Sequence, residues 1–92
     1  MKNIEVYQPL IETLLTRNID FQADNQNEML NIATNLYVCV ETDDFEEAVG
    51  YSVGSRLREF DFTLNQVNEV VDFIQEEIER EWQQWKLKMS VI

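Results

Sequence analysis

The chain has 92 residues and a mass of 11.0 kDa, with 18 Asp and Glu against 7 Lys and Arg and a formal net charge of −11. A chain of this length buries roughly 60–65% of its unfolded surface, enough for one two-layer core and too little for a second domain with its own cleft. An apolar fraction of 45% excludes intrinsic disorder, and the absence of His, with one Cys, two Gly and one Pro, removes most of the usual catalytic and metal-binding vocabulary.

The expectation is therefore a single domain over residues 1–92. Cys39 sits in the apolar run Tyr37-Val38-Cys39-Val40, which points to a buried thiol, no internal disulfide and a reducing, cytoplasmic setting. The N-terminal MKNIEVYQPL has no apolar signal region, and no later stretch reaches the roughly 20 apolar residues that cross a bilayer. So much negative charge also disfavours direct contact with nucleic acid or anionic membranes.

Tyr7, Leu10, Ile11, Leu14 and Leu15 follow the spacing of one helical face, predicting a helix over about 8–17 with Pro9 near its start and Asn18 at its end. Two templates fit the stretch from Ile19 to Glu41. Met29, Ile32, Ala33, Leu36, Tyr37 and Val40 lie at helical spacing, with Asn25 and Glu28 placed as a capping box. Against a helix stand the β-favouring Tyr37-Val38-Cys39-Val40 and the turn residues Asn25-Gln26-Asn27 and Thr34-Asn35. The strand template is adopted, as a three-stranded antiparallel meander near 20–24, 28–33 and 36–41. The alternative, with 26–40 helical, is an all-α four-helix arrangement.

Thr42 reads as an N-cap followed by acids in the first turns, and Phe45, Ala48, Val49, Ser52, Val53 and Phe60 form a small apolar stripe, predicting a helix near 43–58. Thr63 and Gln66 open a last helix over about 64–87, striped by Val67, Val70, Val71, Ile74, Ile78, Trp82 and Trp85. At 1.5 Å per residue that helix spans roughly 35 Å, so one end projects or meets a second subunit. The expected class is α+β, with an N-terminal helix, the meander and two C-terminal helices.

No nucleophile has a base beside it in a glycine-framed elbow or phosphate-binding loop, and the consecutive acids at 43–47 lack the alternation of a calcium loop, so neither an enzyme, a metal nor a cofactor is expected. The acids themselves have geometry. Glu69, Asp72, Glu76 and Glu79 centre about 160° from the apolar stripe of the last helix, with neighbours about 5–6 Å apart, a spacing of the order of that between phosphates on one nucleic-acid strand. Glu41, Asp43, Asp44, Glu46 and Glu47 supply a second, parallel row if the two C-terminal helices lie side by side. Like charges at this spacing oppose helix formation, which separates the ridge from an ordinary mixed solvent face. Phe73 and Tyr51 fall off their core stripes and are candidate dimer or partner contacts. Gly50 and Gly54 permit close approach of another backbone.

A His-free chain of this length with the runs Asp43-Asp44-Phe45-Glu46-Glu47 and Glu76-Glu77-Ile78-Glu79-Arg80-Glu81 resembles the small acidic DNA-mimic proteins of bacteriophages, and in size and charge is most similar to the Arn anti-restriction family of T-even phages. The resemblance implies a homodimer whose carboxylates trace a DNA duplex and occupy the DNA-binding face of host proteins, such as the McrBC restriction nuclease or the H-NS nucleoid protein. It lends no catalytic residue. The alternative reading is a protein-docking module of anti-sigma, anti-CRISPR or adaptor type, binding through an apolar helix face around Phe73, Trp82, Trp85 and Tyr51.

Overall fold

A computed structural model describes residues 4–33, 35–55 and 58–90. The helical face read at the N-terminus becomes α1 (Ile4–Thr16), which buries Tyr7, Leu10 and Leu14, half-buries Ile11 and leaves Leu15 exposed. It begins four residues before the expected start, so Pro9 lies inside it, where the ring removes one backbone donor. Asn18 ends it in the left-handed conformation (φ 55°), and the bonds from Ile19 N–H to the Leu14 carbonyl and from Asn18 N–H to the Leu15 carbonyl complete a Schellman turn.

Five strands follow in meander order, each antiparallel to the next: β1 (Gln22–Asp24), β2 (Met29–Ala33), β3 (Leu36–Thr42), β4 (Ala48–Gly54) and β5 (Glu59–Thr63). One long helix, α2 (Val67–Ser90), closes the chain. The α+β class stands, but the expected arrangement of three strands and two C-terminal helices does not. In place of a helix over 43–58 the chain makes a hairpin. The Asp43 carboxylate accepts the N–H groups of Phe45 and Glu47, Asp43 N–H bonds the Glu47 carbonyl, and Glu46 takes φ 61°. Asp43 therefore builds a turn instead of facing a helix dipole. Thr42, read as an N-cap, is the last residue of β3. The Asn25–Glu28 capping box is likewise a turn, held by the Asp24 carboxylate accepting the N–H groups of Gln26 and Asn27. Thr34, read as a turn residue, and 56–57, in the expected helix, lie outside the described residues.

The register sorts the side chains. Val38 pairs with Val53 and Val53 with Phe60; Val40 pairs with Tyr51 and Tyr51 with Phe62. These rows face the helices, and with Leu30 and Leu36 they meet Tyr7, Leu10 and Leu14 of α1 and Val70, Val71 and Ile74 of α2 in one core. The other face of the sheet carries Tyr37, Cys39, Glu41, Ser52, Glu59 and Asp61, and neither α1 nor α2 covers it. Cys39 is half-buried there, not sealed in the core.

Candidate protein-binding surfaces

The open sheet face gathers acids from strands that the sequence separates. Glu41 pairs with Gly50, Gly50 with Thr63, and Ser52 with Asp61, so Glu41 on β3 and Glu59 and Asp61 on β5 approach one another across the small residues of β4. One carboxylate oxygen from each lies within 4.8 Å of those of the other two. Glu41 shares a hydrogen bond with Asp61, which pushes its carboxyl above the usual range, with partial burial and the charges of Asp61 and Glu59 adding to the effect. Ser52 donates to Glu59 at 2.9 Å. Oxygen ligands of this kind suit a hard cation, but such an ion needs six or more donors and three largely exposed carboxylates make no cage.

The expected site residues divide between two sides of the molecule. Asp43, Asp44, Glu46 and Glu47 are exposed on the β3–β4 loop, and Glu41 is on the open face beside it. Glu69, Asp72, Glu76 and Glu79 are exposed on α2, which covers the opposite face. The parallel rows expected from two adjacent helices are therefore absent, because the second helix is a strand. Asp72 is engaged by Arg17 at 2.6 Å, while no ion pair reaches Glu69, Glu76 or Glu79 among the described residues. Glu77, part of the acidic run, turns inward and binds Arg58 at 2.6 Å and Arg80 at 3.6 Å.

Neither expected dimer contact is free. Tyr51 is buried, its hydroxyl donating to the Val6 carbonyl. Phe73 is half-buried between Phe60 and Phe62, with ring centroids 4.9 and 6.0 Å away. Both lie off the stripes drawn for helices, yet the Tyr51 strand faces the core, and β5 supplies Phe73 with aromatic partners.

Glu59 and Asp61 are not among the expected site residues, although the alternation Glu59-Phe60-Asp61-Phe62 puts both acids on one face of a strand. Trp82 and Trp85, expected in the core stripe, are half-exposed. Phe73 lies over β5 and Glu77 meets Arg58 at the start of that strand, so α2 runs antiparallel to β5 and its later residues pass beyond the end of the sheet. There Trp82 and Trp85 stack at 5.1 Å.

Compared with family models, curated proteins and solved structures, the chain finds no match in any of the three. No helix among the described residues is long and apolar enough to cross a membrane.

Proposed function

We propose that the protein is a non-catalytic inhibitor whose acidic surfaces occupy the basic, DNA-binding face of another protein and keep DNA away from it. The observation that carries this reading is the Glu41–Glu59–Asp61 group, three carboxylates drawn together on a solvent-facing sheet where like charges oppose pairing. A guanidinium- or ammonium-rich surface relieves that repulsion, as it relieves repulsion between phosphates. The α2 ridge of Glu69, Glu76 and Glu79 presents the same chemistry on the other side, so the molecule offers acid in two directions. Restriction nucleases and nucleoid proteins, which the resemblance to phage DNA mimics implies, are the partner class proposed.

Two neutralised proteins test it: Glu41→Gln with Glu59→Gln and Asp61→Asn, and Glu69→Gln with Glu76→Gln and Glu79→Gln. Each should fold, since the side chains are largely exposed. The wild type should capture DNA-binding proteins from a bacterial lysate at low salt, release them as salt screens charge over a Debye length of about 8–10 Å, and compete with DNA in a mobility-shift assay. At least one neutralised protein should lose that competition. If both displace DNA at the wild-type concentration, the reading is wrong. Binding lost on Trp82 or Trp85 substitution alone marks an apolar docking module instead.

A further inference from the structure

Among the described residues the sheet ends at β5, with no strand on its outer side. Antiparallel ladders alternate between residue pairs that exchange both backbone bonds and pairs that exchange none. The Ser55 N–H donates to the Arg58 carbonyl at 2.7 Å, and that bond sets the phase for the strands beyond it. Phe60 and Phe62 bond Val53 and Tyr51 of β4, whereas Glu59, Asp61 and Thr63 point their backbone groups outward. Two contacts agree with this phase. The Phe62 carbonyl points to β4, close to Gly50, and the Thr63 N–H, free of β4, is taken by the Gln66 side chain. The Thr63 carbonyl accepts the Gln66 N–H, but the outward N–H and C=O groups of Glu59 and Asp61 bond no protein group among the described residues. The two sides of this edge differ in chemistry. Glu59 and Asp61 stand with Glu41 on the open face, while Phe60, 41% exposed, and half-buried Phe62 lie on the helix side against Phe73.

Resting on the reading of the open face as a surface for cationic proteins, we propose that the β5 edge binds an extended segment of another protein as a sixth, antiparallel strand, with Lys or Arg at alternate positions and aliphatic residues between them. The residues opposite Glu59 and Asp61 exchange two backbone bonds with each and set their cationic side chains beside the carboxylates. The intervening aliphatic side chains cover Phe60 on the other side of the edge. A second copy of β5 does not fit, because two such edges would set acid against acid on the open face. The acids that bar self-pairing thus select a strand of opposite charge.

A capped seven-residue peptide of alternating Val and Lys, with Val at both ends, is the probe, titrated into the full chain at low salt and followed by nuclear magnetic resonance. In the free chain the amides of Glu59 and Asp61 should exchange with deuterium fast and those of Phe60 and Phe62 slowly. The peptide should slow the Glu59 and Asp61 amides at least about tenfold. Methylating the three Lys backbone nitrogens, which face β5 in an antiparallel pair, should weaken binding at least about tenfold; methylating the Val nitrogens, which face away, should weaken it less than about threefold. Both methylated peptides keep their charge. Asp61→Asn removes one charge and keeps the edge, whereas Asp61→Pro also blocks the edge without taking a bond from β4, and should bind the parent peptide at least about tenfold more weakly than Asp61→Asn. If circular dichroism shows Asp61→Pro unfolded, the methylated peptides decide. Unchanged exchange at Glu59 and Asp61 with about 1 mM peptide overturns the proposal, as do equal or reversed effects of the two methylations. Equal methylation effects beside a neutralised protein that loses DNA competition overturn the added strand and leave the inhibitor reading standing. Separated methylation effects beside neutralised proteins that still displace DNA support the added strand and end the inhibitor reading.

Discussion

Tyr7 joins three pieces of chain that its place in the sequence keeps apart. Its hydroxyl donates to the Glu28 carbonyl in the β1–β2 turn and accepts the Val40 N–H of β3, both at 3.0 Å, while the ring is buried under α1. Tyr7→Phe removes both bonds and leaves two backbone groups without a partner, so denaturant unfolding should show a loss of about 1–3 kcal/mol. Burial pushes the phenol up to about 12. A raised value means that the folded state favours the protonated phenol. Its contribution is therefore intact below about pH 10 and disappears as pH rises toward 12, and an alkaline titration followed by circular dichroism should show that step blunted in Tyr7→Phe. Glu41 has the same sign in the acid range. Its carboxyl is raised, first by the hydrogen bond to Asp61, so the stability it affects grows as pH falls from neutrality toward the ordinary glutamate value. Glu41→Gln keeps a donor for Asp61 and deletes one charge, and should raise the neutral-pH melting temperature by about 1–3 °C while flattening that dependence. Asp24 runs the other way. The Asn27 side chain and the Asn27 and Gln26 N–H groups lower its carboxyl, a contribution present at neutral pH and lost in acid.

Among the elements, β4 separates what the sequence discloses from what it conceals. Thr42 and the acids after it imitate a helix start, and Phe45, Ala48, Val49, Ser52 and Val53 allow a helical stripe. The same residues contain strict alternation, Val49, Tyr51 and Val53 against Gly50, Ser52 and Gly54, and two glycines oppose a helix interior. The alternation decided the outcome because Tyr51 and Val53 fill the core only from a strand. The reasons for the small residues are tertiary and were not legible: a methyl group on Gly50 would collide with the Phe62 carbonyl, and one on Gly54 with the Tyr37 ring. Gly50→Ala should therefore lower stability by about 1–3 kcal/mol in denaturant unfolding, and Gly54→Ala by less, since a half-exposed ring can swing aside and a backbone cannot. The first three strands fall close to where β-branched runs and turn residues place them. The α2 helix was legible from its stripe, but it starts at Val67 and not near 64: Thr63 ends β5, and although the Gln66 side chain accepts the Thr63 N–H, the Gln66 N–H bonds the Thr63 backbone carbonyl, so a turn stands where the capping box was expected. Where the stripe stops being core was not legible, because the end of the sheet is set by register. Phe73→Ala should destabilise the fold by about 2 kcal/mol in denaturant unfolding through lost contact with Phe60 and Phe62.

At the scale of the molecule the extents are 53 × 26 × 23 Å, and α2, about 36 Å long, accounts for much of the elongation. The row from Glu41 through Gly50 to Thr63 puts the acidic β3–β4 loop and the start of α2 at one end, and the indole-bearing turns of α2 leave from the other. Repulsion within so acidic a body falls with screening, so raising sodium chloride from about 10 to about 200 mM should raise the melting temperature, where a protein held together by surface ion pairs would lose stability. The order of elements also sets the order of synthesis. Strands that pair only with their neighbours can assemble as they emerge, and the ribosome thus delivers a finished sheet roofed by α1 alone. Until 67–74 have left the exit tunnel, Val53, Phe60 and Phe62 face water on one side, with Glu59 and Asp61 guarding the other. The nascent chain is at its most adhesive just before α2 emerges, and that helix is the one that hides the greasy side of the sheet.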